Sequence, residues 1–300
     1  MAASPGVLGT SGVSVAGITF QNPVLLASGT AGFGRELDGV IDLDRLGGVV
    51  TKAVSLEPRE GNPPPRVAEF PGGMLNSVGL ANPGVDAVRS DHLPWLARRL
   101  QHARVLVNVV GFREEEYAAV IARLDDAGVI AAYELNLSCP NIAAGGLEFG
   151  ADRASVVNII ARCRQATSRP LFAKLSPALP DIGGMAVVAR DAGADGISVV
   201  NTIPGFAYRR GDRVGGVGEA ALGQGQGGVS GPALLPVGIL AVRRVLERTA
   251  GIPVIGVGGI TDPEDARQYL KAGASLVAIG TAALADPRLP LRVIEQLGWD

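Results

Sequence analysis

The feature that most constrains the fold of this chain is a series of eight short apolar, β-rich runs separated by longer segments with helical patterns. Most of the runs are continuously apolar, as expected of strands buried on both faces of a parallel sheet. The predicted strands are Val24–Thr30, Gly48–Val54, Val105–Gly111, Tyr133–Ser138, Leu171–Ser176, Gly196–Thr202, Ile252–Gly259 and Leu276–Ala282. Eight strand–helix alternations in one chain predict an α/β fold, a closed (β/α)8 TIM barrel.

The segments between the predicted strands carry helical signals. Residues 113–128 place charges on one face and apolar side chains on the other, which is typical of a surface helix. Residues 152–167 and 262–273 each begin with an aspartate that can cap a helix, and Pro263 stands at the first helical position of the second. These patterns favour helices that cover the outside of the barrel.

Three segments exceed a minimal barrel. Residues 13–20 predict a small hairpin before the first strand, at the bottom of the barrel. Ser55–Pro83 and Ile203–Pro232 are long insertions after strands 2 and 6, and the second is so rich in glycine that we interpret it as a mobile loop or lid. None of them separates domains, and about 250 residues is typical of one barrel, so residues 1–300 are predicted to form a single domain.

Composition narrows the classes of function. The chain is 47% hydrophobic and 19% charged, which excludes a disordered or highly charged tail protein. Its 27 basic and 29 acidic residues give a net charge of −2, so neither nucleic acid nor an anionic membrane is an expected partner. The N-terminus lacks the basic region of a signal peptide, and no run approaches the ~20 apolar residues of a membrane helix, so we expect a cytoplasmic protein.

Polar residues stand at the carboxyl ends of most predicted strands, where β/α barrels place their active sites. They are Ser28, Thr30, Lys52, Asn108, Asn136, Ser138, Lys174, Ser176, Asn201 and Thr202. Such groups could simply satisfy one another in the upper barrel. A whole ring of converging amides, hydroxyls and ammonium groups instead favours a flat, hydrogen-bonding heterocycle as ligand.

Lysine is scarce: only three of the 27 basic residues are Lys, at positions 52, 174 and 271. A lysine kept in an arginine-rich chain indicates a need for a compact ammonium group. Lys52 and Lys174 both lie at strand ends and are therefore candidates for the site. Lys271 is explained equally well as a charge at a helix C-terminus.

Glycines follow the last two predicted strands, at Gly258–Gly259 and at Gly280, which precedes Thr281. Tight turns also need glycine. The loops after strands 7 and 8 are, however, the usual phosphate site of this fold, where backbone N–H groups can approach an anion. Two such loops together predict a phosphorylated cofactor.

Cys139 follows strand 4 in a polar loop that includes Gly145 and Gly146, where a thiol can exchange a proton with a bound substrate. Cys163 falls inside a predicted helix and is expected to be a packing residue. His92 and His102 lie around the helix before strand 3, away from Cys139, so we expect no Ser–His or Cys–His pair. No cluster of metal ligands is apparent, and we predict no metal site.

With these residues in view, the chain resembles the class 1 dihydroorotate dehydrogenases, flavoenzymes of pyrimidine (UMP) biosynthesis, over nearly its whole length. The resemblance is carried by the segments 22–30, 51–53, 59–63, 76–80, 134–141, 174–177, 201–202 and 230–232. Their residues include Asn-Pro at 22, Thr-Lys-Ala at 51, Asn-Ser-Val-Gly-Leu at 76, Glu-Leu-Asn-Leu-Ser-Cys-Pro-Asn at 134 and Lys-Leu-Ser-Pro at 174.

The resemblance implies that FMN lies across the barrel mouth and that dihydroorotate stacks on it. The implied cofactor-binding residues are Ala27, Ser28, Lys52, Ala53, Asn108, Asn136, Lys174, Val200, Gly231, Gly258, Gly259, Gly280 and Thr281. The implied substrate-binding residues are Lys52, Asn76, Ser77, Val78, Gly79, Leu80, Asn136, Asn141, Asn201 and Thr202.

The implied reaction removes the C5 proton of dihydroorotate by Cys139 and passes a hydride from C6 to N5 of FMN. An unperturbed cysteine thiol has a pKa of about 8.5, so activity is expected to rise toward alkaline pH. Class 2 enzymes use serine as the base and carry an N-terminal membrane-associating extension. Cys139 and the short N-terminus oppose class 2.

Within class 1, residues 73–76 and 145–150 are more similar to the NAD-linked type 1B than to the fumarate-linked type 1A, which stays open as the alternative. Type 1B implies a partner electron-transfer subunit with FAD and a [2Fe-2S] cluster, in a heterotetramer built on a dimer of catalytic chains. This chain's two cysteines cannot ligate a cluster that needs four thiolates, so those cofactors are expected on the partner.

Two remoter alternatives are a tRNA-dihydrouridine synthase and a non-enzymatic FMN-binding scaffold. The balanced charge opposes the first, because an RNA-binding enzyme needs a basic face. The set Lys52, Cys139 and Lys174 opposes the second, because simple binding needs no proton acceptor.

Overall fold

A computed structural model describes residues 12–138, 148–209, 211 and 218–299. In chain order, the strands of these residues are β1 (Val13–Val15), β2 (Ile18–Phe20), β3 (Val24–Leu26), β4 (Gly48–Val50), β5 (Val67–Phe70), β6 (Gly73–Asn76), β7 (Arg104–Val109), β8 (Ile130–Asn136), β9 (Leu171–Leu175), β10 (Gly196–Val199), β11 (Ile203–Phe206), β12 (Gln226–Ser230), β13 (Val254–Val257) and β14 (Leu276–Ile279). Eight of them form a closed parallel barrel in the order β10-β13-β14-β3-β4-β7-β8-β9. The predicted TIM barrel is confirmed.

Each predicted barrel strand is present, but the predicted bounds were wrong at several ends. β3 stops at Leu26 rather than Thr30, and β13 covers only Val254–Val257 of the predicted 252–259. β8 starts at Ile130, three residues before its predicted start at Tyr133. β13 ends early because Gly258 and Gly259, which follow it, both have positive φ and so leave the extended conformation.

The α-helices of the described residues lie in the segments that connect the barrel strands and in the segment after β14. They are α1 (Val85–Ala87), α2 (Leu93–Arg99), α3 (Glu114–Leu124), α4 (Arg153–Ala166), α5 (Ile182–Asp191), α6 (Leu235–Thr249), α7 (Pro263–Lys271), α8 (Thr281–Ala285) and α9 (Leu289–Leu297), with a π-helical turn, Val88–His92, joining α1 to α2. The predicted caps are confirmed: Asp152 accepts a hydrogen bond from Ser155 N, and Asp262 accepts from Glu264 N and Asp265 N. No helix in this part of the chain is long and apolar enough to span a membrane.

The N-terminal hairpin closes the bottom of the barrel, as predicted. β1 and β2 pair antiparallel, and their side chains Val15 and Phe20 are 2% and 0% exposed. Both belong to the apolar cluster inside the barrel, together with Leu25, Leu106 and Phe172. The hairpin therefore excludes water from the lower half of the barrel.

The two insertions pair with each other, a feature that the sequence did not predict. β5 and β6, from the insertion after β4, join β11 and β12, from the insertion after β10, in an antiparallel sheet of order β11-β12-β6-β5. The interpretation of residues 203–232 as a loop was therefore wrong at both of its ends. This pairing is non-local, with Gly228 opposite Asn76, so neither segment reveals it by its own periodicity. A lid function for the sheet stays a prediction.

Candidate active site

The barrel interior changes from apolar to polar along its axis. Leu106, Ala132, Phe172 and Ile255 belong to the interior apolar cluster near the hairpin. Side chains two residues apart on a strand share a face, so the next interior positions toward the carboxyl ends are Asn108, Glu134, Lys174 and Val257. Three of these four side chains are polar, and they form the floor of the barrel mouth.

Lys174 lies at the centre of this polar floor. It is 5% exposed, and its Nζ lies 3.4 Å from Oε1 of Glu134, which is 1% exposed. Nζ also donates to Ser28 Oγ at 3.1 Å, and Asn108 Nδ2 donates to the same Glu134 oxygen at 2.7 Å. A buried charge needs a partner, and this carboxylate provides it for the Lys174 ammonium.

Two polar atoms at the level of the floor, Asn108 Oδ1 and Ser198 Oγ, have no hydrogen-bond partner among the described residues. Asn108 is fully buried, its Nδ2 faces Glu134, and its Oδ1 lacks a partner. Buried polar atoms are nearly always satisfied, so an unpaired acceptor in the mouth indicates a place for a ligand N–H group. The observation fits a planar heterocycle with alternating C=O and N–H groups, which the isoalloxazine ring of FMN has.

Amides also converge on the neighbouring strand ends. Asn201, after β10, donates from Nδ2 to Oδ1 of Asn136 at the end of β8, at 3.2 Å. The Tyr117 hydroxyl donates to the Asn136 carbonyl oxygen at 2.8 Å and so anchors this strand end from α3. Thr202, which follows Asn201, packs against Gly228 of β12 in the inserted sheet. The approach is so close that a Cβ on Gly228 would lie 2.1 Å from Thr202 Oγ1. A residue larger than glycine cannot occupy position 228 without displacing Thr202.

The inserted sheet brings the segment 76–80 over the same side of the mouth. Asn76 Nδ2 donates to the Gly228 carbonyl at 3.1 Å, which places Asn76 beside Thr202. Asn62 binds the following residues: its backbone N–H donates to Val78 O at 3.1 Å and its side chain to Ser77 Oγ at 2.8 Å. Gly79 and Leu80 both have positive φ, so the segment is held as a tight turn. The structure thus joins the predicted substrate residues of the insertion to those that follow β10.

Glycines with positive φ line the mouth after β13, the strand that pairs with β10. Gly258 and Gly259 have φ of +112° and +77°, and a Cβ on Gly259 would lie 2.3 Å from Leu235 N. The Tyr269 hydroxyl donates toward the carbonyls of Val257 and Gly258, at 3.0 and 2.7 Å, and fixes this turn from α7. Glycine is thus required at position 259, by both φ and space.

The other predicted phosphate residues are Gly231, which follows β12, and Gly280 and Thr281, which follow β14. Thr281 Oγ1 is 2.8 Å from Ser230 Oγ, which places Gly231 beside the start of α8. A Cβ on Gly280 would meet only Ala27 Cβ, at 3.6 Å, and Thr30 Oγ1, at 3.8 Å, and one on Gly258 would contact Val200 at 3.4 Å. The turns after β13 and β14 therefore leave backbone accessible beside Ala27 and Val200, as a phosphate cradle requires.

The remaining predicted residues are divided between the mouth and the part of the chain that is not described. Lys52 is half-buried and its backbone N–H donates to Gly32 O at 2.7 Å, while Ala53 is 8% exposed. Cys139 and Asn141 lie outside the described residues. Lys271 binds the exposed Glu264 at 3.1 Å, which confirms its interpretation as a surface charge at a helix end.

Three titratable groups bear on the choice of a base. Cys163 is fully buried, and burial raises the pKa of its thiol to about 12. Burial also lowers the pKa of His92, which stacks on Phe33 at 4.2 Å between ring centroids. His102 lies before the start of β7, at the bottom of the barrel, with Nδ1 2.8 Å from Asp44 Oδ2. His102 is therefore not placed to act at the mouth.

Sequence reasoning missed several residues that shape the site, namely Glu134, Ser230, Tyr117 and Tyr269. Glu134 had the clearest signal, because a carboxylate stands in the middle of a strand that is otherwise buried and apolar. Charged residues are almost never fully buried unless they are paired, so its position indicated a buried cation nearby. The two tyrosines lie on helices, and nothing in their local pattern indicated that their hydroxyls reach strand ends.

The fold and the site together define an α/β barrel with a polar floor and with glycine turns suited to a phosphate group, and the family to which it belongs is one of oxidoreductases. The family model for dihydroorotate dehydrogenase matches residues 11–299, and the chain belongs to that family. Members of the family oxidise dihydroorotate in pyrimidine biosynthesis. The resemblance drawn from the motifs is confirmed.

Curated relatives agree with this family. The chain is 45% identical over 275 residues to the dihydroorotate dehydrogenase B (NAD(+)) catalytic subunit of Pelobacter propionicus, covering 92% of this chain and 88% of that protein. It is 46% identical over 275 residues to the catalytic subunit of the same name from Desulforudis audaxviator, covering 92% and 87%. It is also 45% identical over 285 residues to the putative dihydroorotate dehydrogenase A (fumarate) of Solibacter usitatus, covering 95% and 91%.

Proposed function

We propose that this chain is the catalytic subunit of an NAD-linked dihydroorotate dehydrogenase that uses FMN and oxidises dihydroorotate to orotate in the cytoplasm. The observation that carries the proposal is the buried Lys174 ammonium, paired with Glu134 and placed beside an unpartnered Asn108 oxygen at the barrel mouth. A barrel that only bound a phosphate would need the glycine turns and not this charged floor.

The residues of the mouth fit FMN. The turns at Gly258–Gly259 and Gly280–Thr281, with Gly231, would hold its phosphate through backbone N–H groups. The ring would lie over the floor, flanked by Ala27, Ser28, Lys52, Ala53, Asn108, Asn136, Lys174 and Val200. When bound, FMN supplies a two-electron acceptor for the oxidation. The Lys174 ammonium stabilises negative charge that develops in its neighbourhood, in a site that excludes water.

Dihydroorotate would bind between this floor and the inserted sheet. Lys52 suits its carboxylate, and the amides of Asn76, Asn136, Asn141 and Asn201 suit a ring of alternating N–H and C=O groups. Ser77, Val78, Gly79, Leu80 and Thr202 complete the pocket. The hydrogen bond from Asn76 to the Gly228 carbonyl supports this arrangement, because it ties the two insertions together over one side of the mouth.

Cys139 is proposed as the base that removes the C5 proton. In the sequence it directly follows Ser138, which is the second residue after the end of β8 at Asn136. The other cysteine is unsuitable, because burial raises the pKa of Cys163 to about 12 and keeps its thiol protonated at neutral pH. His102 lies at the bottom of the barrel, and His92 packs against the Phe33 ring. We therefore assign the role of proton acceptor to the Cys139 thiol.

The names of the relatives support NAD as the final acceptor, reached through a partner subunit that carries FAD and a [2Fe-2S] cluster. Two of the relatives described above are named as NAD(+)-linked catalytic subunits. In that assembly, a dimer of catalytic chains would stand within a heterotetramer. The fumarate-linked enzyme is the second candidate, because one relative of similar identity carries that name.

The test uses the purified chain, without a partner and without oxygen. The proposal predicts that FMN is released on denaturation, that dihydroorotate bleaches the visible absorbance of the bound flavin, and that NAD restores it only after the partner subunit is added. Reoxidation by fumarate alone would support the type 1A enzyme instead. Retention of FMN without bleaching would contradict the proposal and favour the scaffold or a uridine-reducing enzyme, which reduction of uridine in tRNA would identify.

A further inference from the structure

In the function proposed above, the carboxylate of Glu134 serves only as the counter-charge of Lys174. It is 1% exposed, and two donors from neighbouring strands converge on its Oε1: Lys174 Nζ at 3.4 Å and Asn108 Nδ2 at 2.7 Å. It lies in the barrel one layer above the apolar cluster that contains Ala132. Burial of a carboxylate is costly, so a residue that only filled space here would be apolar.

An ionised carboxylate has acceptors and no donor, which fixes the orientation of both partners. Asn108 must turn its NH2 group toward Glu134, so its Oδ1 points away from the carboxylate, where it lacks a partner among the described residues. Lys174 must keep one N–H on the same oxygen while another reaches Ser28 Oγ at 3.1 Å. The floor therefore offers a fixed acceptor from Asn108 next to a fixed cation.

We propose that Glu134 is a positioning residue for the flavin: it sets the hydrogen-bond polarity of the floor by holding the Asn108 carbonyl oxygen and the Lys174 ammonium toward the ring. A neutral amide at position 134 can donate as well as accept, so it allows the Asn108 amide to rotate and leaves the ammonium without a counter-charge. This inference rests on the proposed use of FMN. In it, Glu134 determines which edge groups of the ring the floor can bind: an N–H group opposite Asn108 Oδ1 and a C=O group opposite Lys174 Nζ.

The experiment compares Glu134→Gln with Glu134→Asp. Glutamine keeps the size and loses the charge, whereas aspartate keeps the charge and leaves a gap of one methylene. If the charge orients the floor, aspartate is the better replacement; if the side chain only fills the core, glutamine is. Cys163→Ala is the control for a buried substitution outside the site, since Cys163 is fully buried on α4 in the core that surrounds the barrel.

The main readout is the dissociation constant of FMN, measured by fluorescence when the apoprotein is reconstituted. Glu134→Gln is expected to raise it about tenfold or more, which is the effect of losing a hydrogen bond to a charged group. Glu134→Asp is expected to raise it less than Glu134→Gln, and Cys163→Ala to change it less than about twofold. Glutamine equal to or better than aspartate would overturn the proposal.

The second readout is the melting temperature of each apoprotein, which separates positioning from folding. Similar melting temperatures with the predicted order of affinities support positioning by Glu134. A Glu134→Gln chain that does not fold would mean that the Lys174–Glu134 ion pair holds the barrel together, and this would overturn the proposal. The conclusion would be the same whether or not the Glu134→Asp chain folds.

Failure of the proposed function gives a different result. If the wild type binds FMN and dihydroorotate does not bleach it, the dehydrogenase activity is contradicted and the order of FMN affinities still decides the role of Glu134. If the wild type binds no FMN, both proposals are overturned.

Discussion

The lower and upper halves of the barrel interior are built from the same eight strands, and they differ in what fills them. The lower half is closed by the hairpin residues Val15 and Phe20 and packed with apolar side chains such as Phe172. The upper half contains Lys174 and Glu134, one layer above on the same strands. A step of two residues along a strand changes the interior from a core into a binding site. The comparison teaches that stability and function are separated along the barrel axis, so substitutions in the two halves should affect different measurements.

The largest effect is expected in the upper half, from Lys174→Met. The variant loses the ammonium that stabilises developing negative charge, and it leaves Glu134 as an unpaired buried carboxylate. We expect flavin reduction by dihydroorotate to slow by about 100-fold or more and the free energy of unfolding to fall by about 3–5 kcal/mol. Stopped-flow absorbance and urea unfolding measure the two effects. Lys271→Met, which removes a surface charge beside Glu264, should leave both nearly unchanged; an equal loss there would refute the role of Lys174.

Phe20→Ala tests the lower half. The Phe20 side chain is fully buried where the β1–β2 hairpin closes the bottom of the barrel, so its loss should lower the unfolding free energy by about 3–5 kcal/mol. The rate of flavin reduction per folded molecule should remain as in the wild type, because the polar floor is untouched. Phe206→Ala is the matched control: its ring is 54% exposed and packs edge-on against Tyr208, so about 1 kcal/mol is expected. A Phe20→Ala protein with the stability of the wild type would show that the β1–β2 hairpin does not stabilise the lower half of the barrel.

Gly259→Ala sharpens the comparison at the rim of the upper half. The residue has φ of +77°, and an added Cβ would lie 2.3 Å from Leu235 N, so the turn must shift. We expect FMN affinity to fall about tenfold, with a loss of about 1–3 kcal/mol in stability. Gly128→Ala, which has open space and no positive φ, serves as the control. Unchanged affinity, measured by flavin fluorescence, would remove this turn from the phosphate site.

The smallest effect concerns the two thiols. In a Cys139→Ser protein the remaining cysteine is Cys163, which is fully buried and whose pKa burial raises to about 12. It should not react with a chromogenic disulfide reagent at pH 8 until the protein is unfolded, when one thiol per chain is released. Rapid reaction of the native variant would contradict the placement of Cys163 in the core and reopen the choice of base.

The barrel could be predicted from the sequence because a strand that is buried on both faces is apolar along most of its length, as in Leu171–Leu175. It also predicted most of the mouth, since polar residues at strand ends have few other reasons to be there. The pairing of β6 with β12 could not be predicted, because it joins Asn76 to Gly228 across a long stretch of chain and β12 is rich in glycine. Glu134 was missed because its partners come from other strands.

Flavin reduction as a function of pH is the measurement that tests the account most directly. The FMN-loaded chain is mixed without oxygen with dihydroorotate between pH 6 and pH 10, and the visible absorbance of the flavin and the orotate formed are followed. The account predicts complete bleaching, one orotate per flavin, and a rate that rises toward alkaline pH around the pKa of about 8.5 of an unperturbed thiol; Cys139→Ser should lose this rise. No bleaching, or a rise that the substitution leaves unchanged, would contradict it.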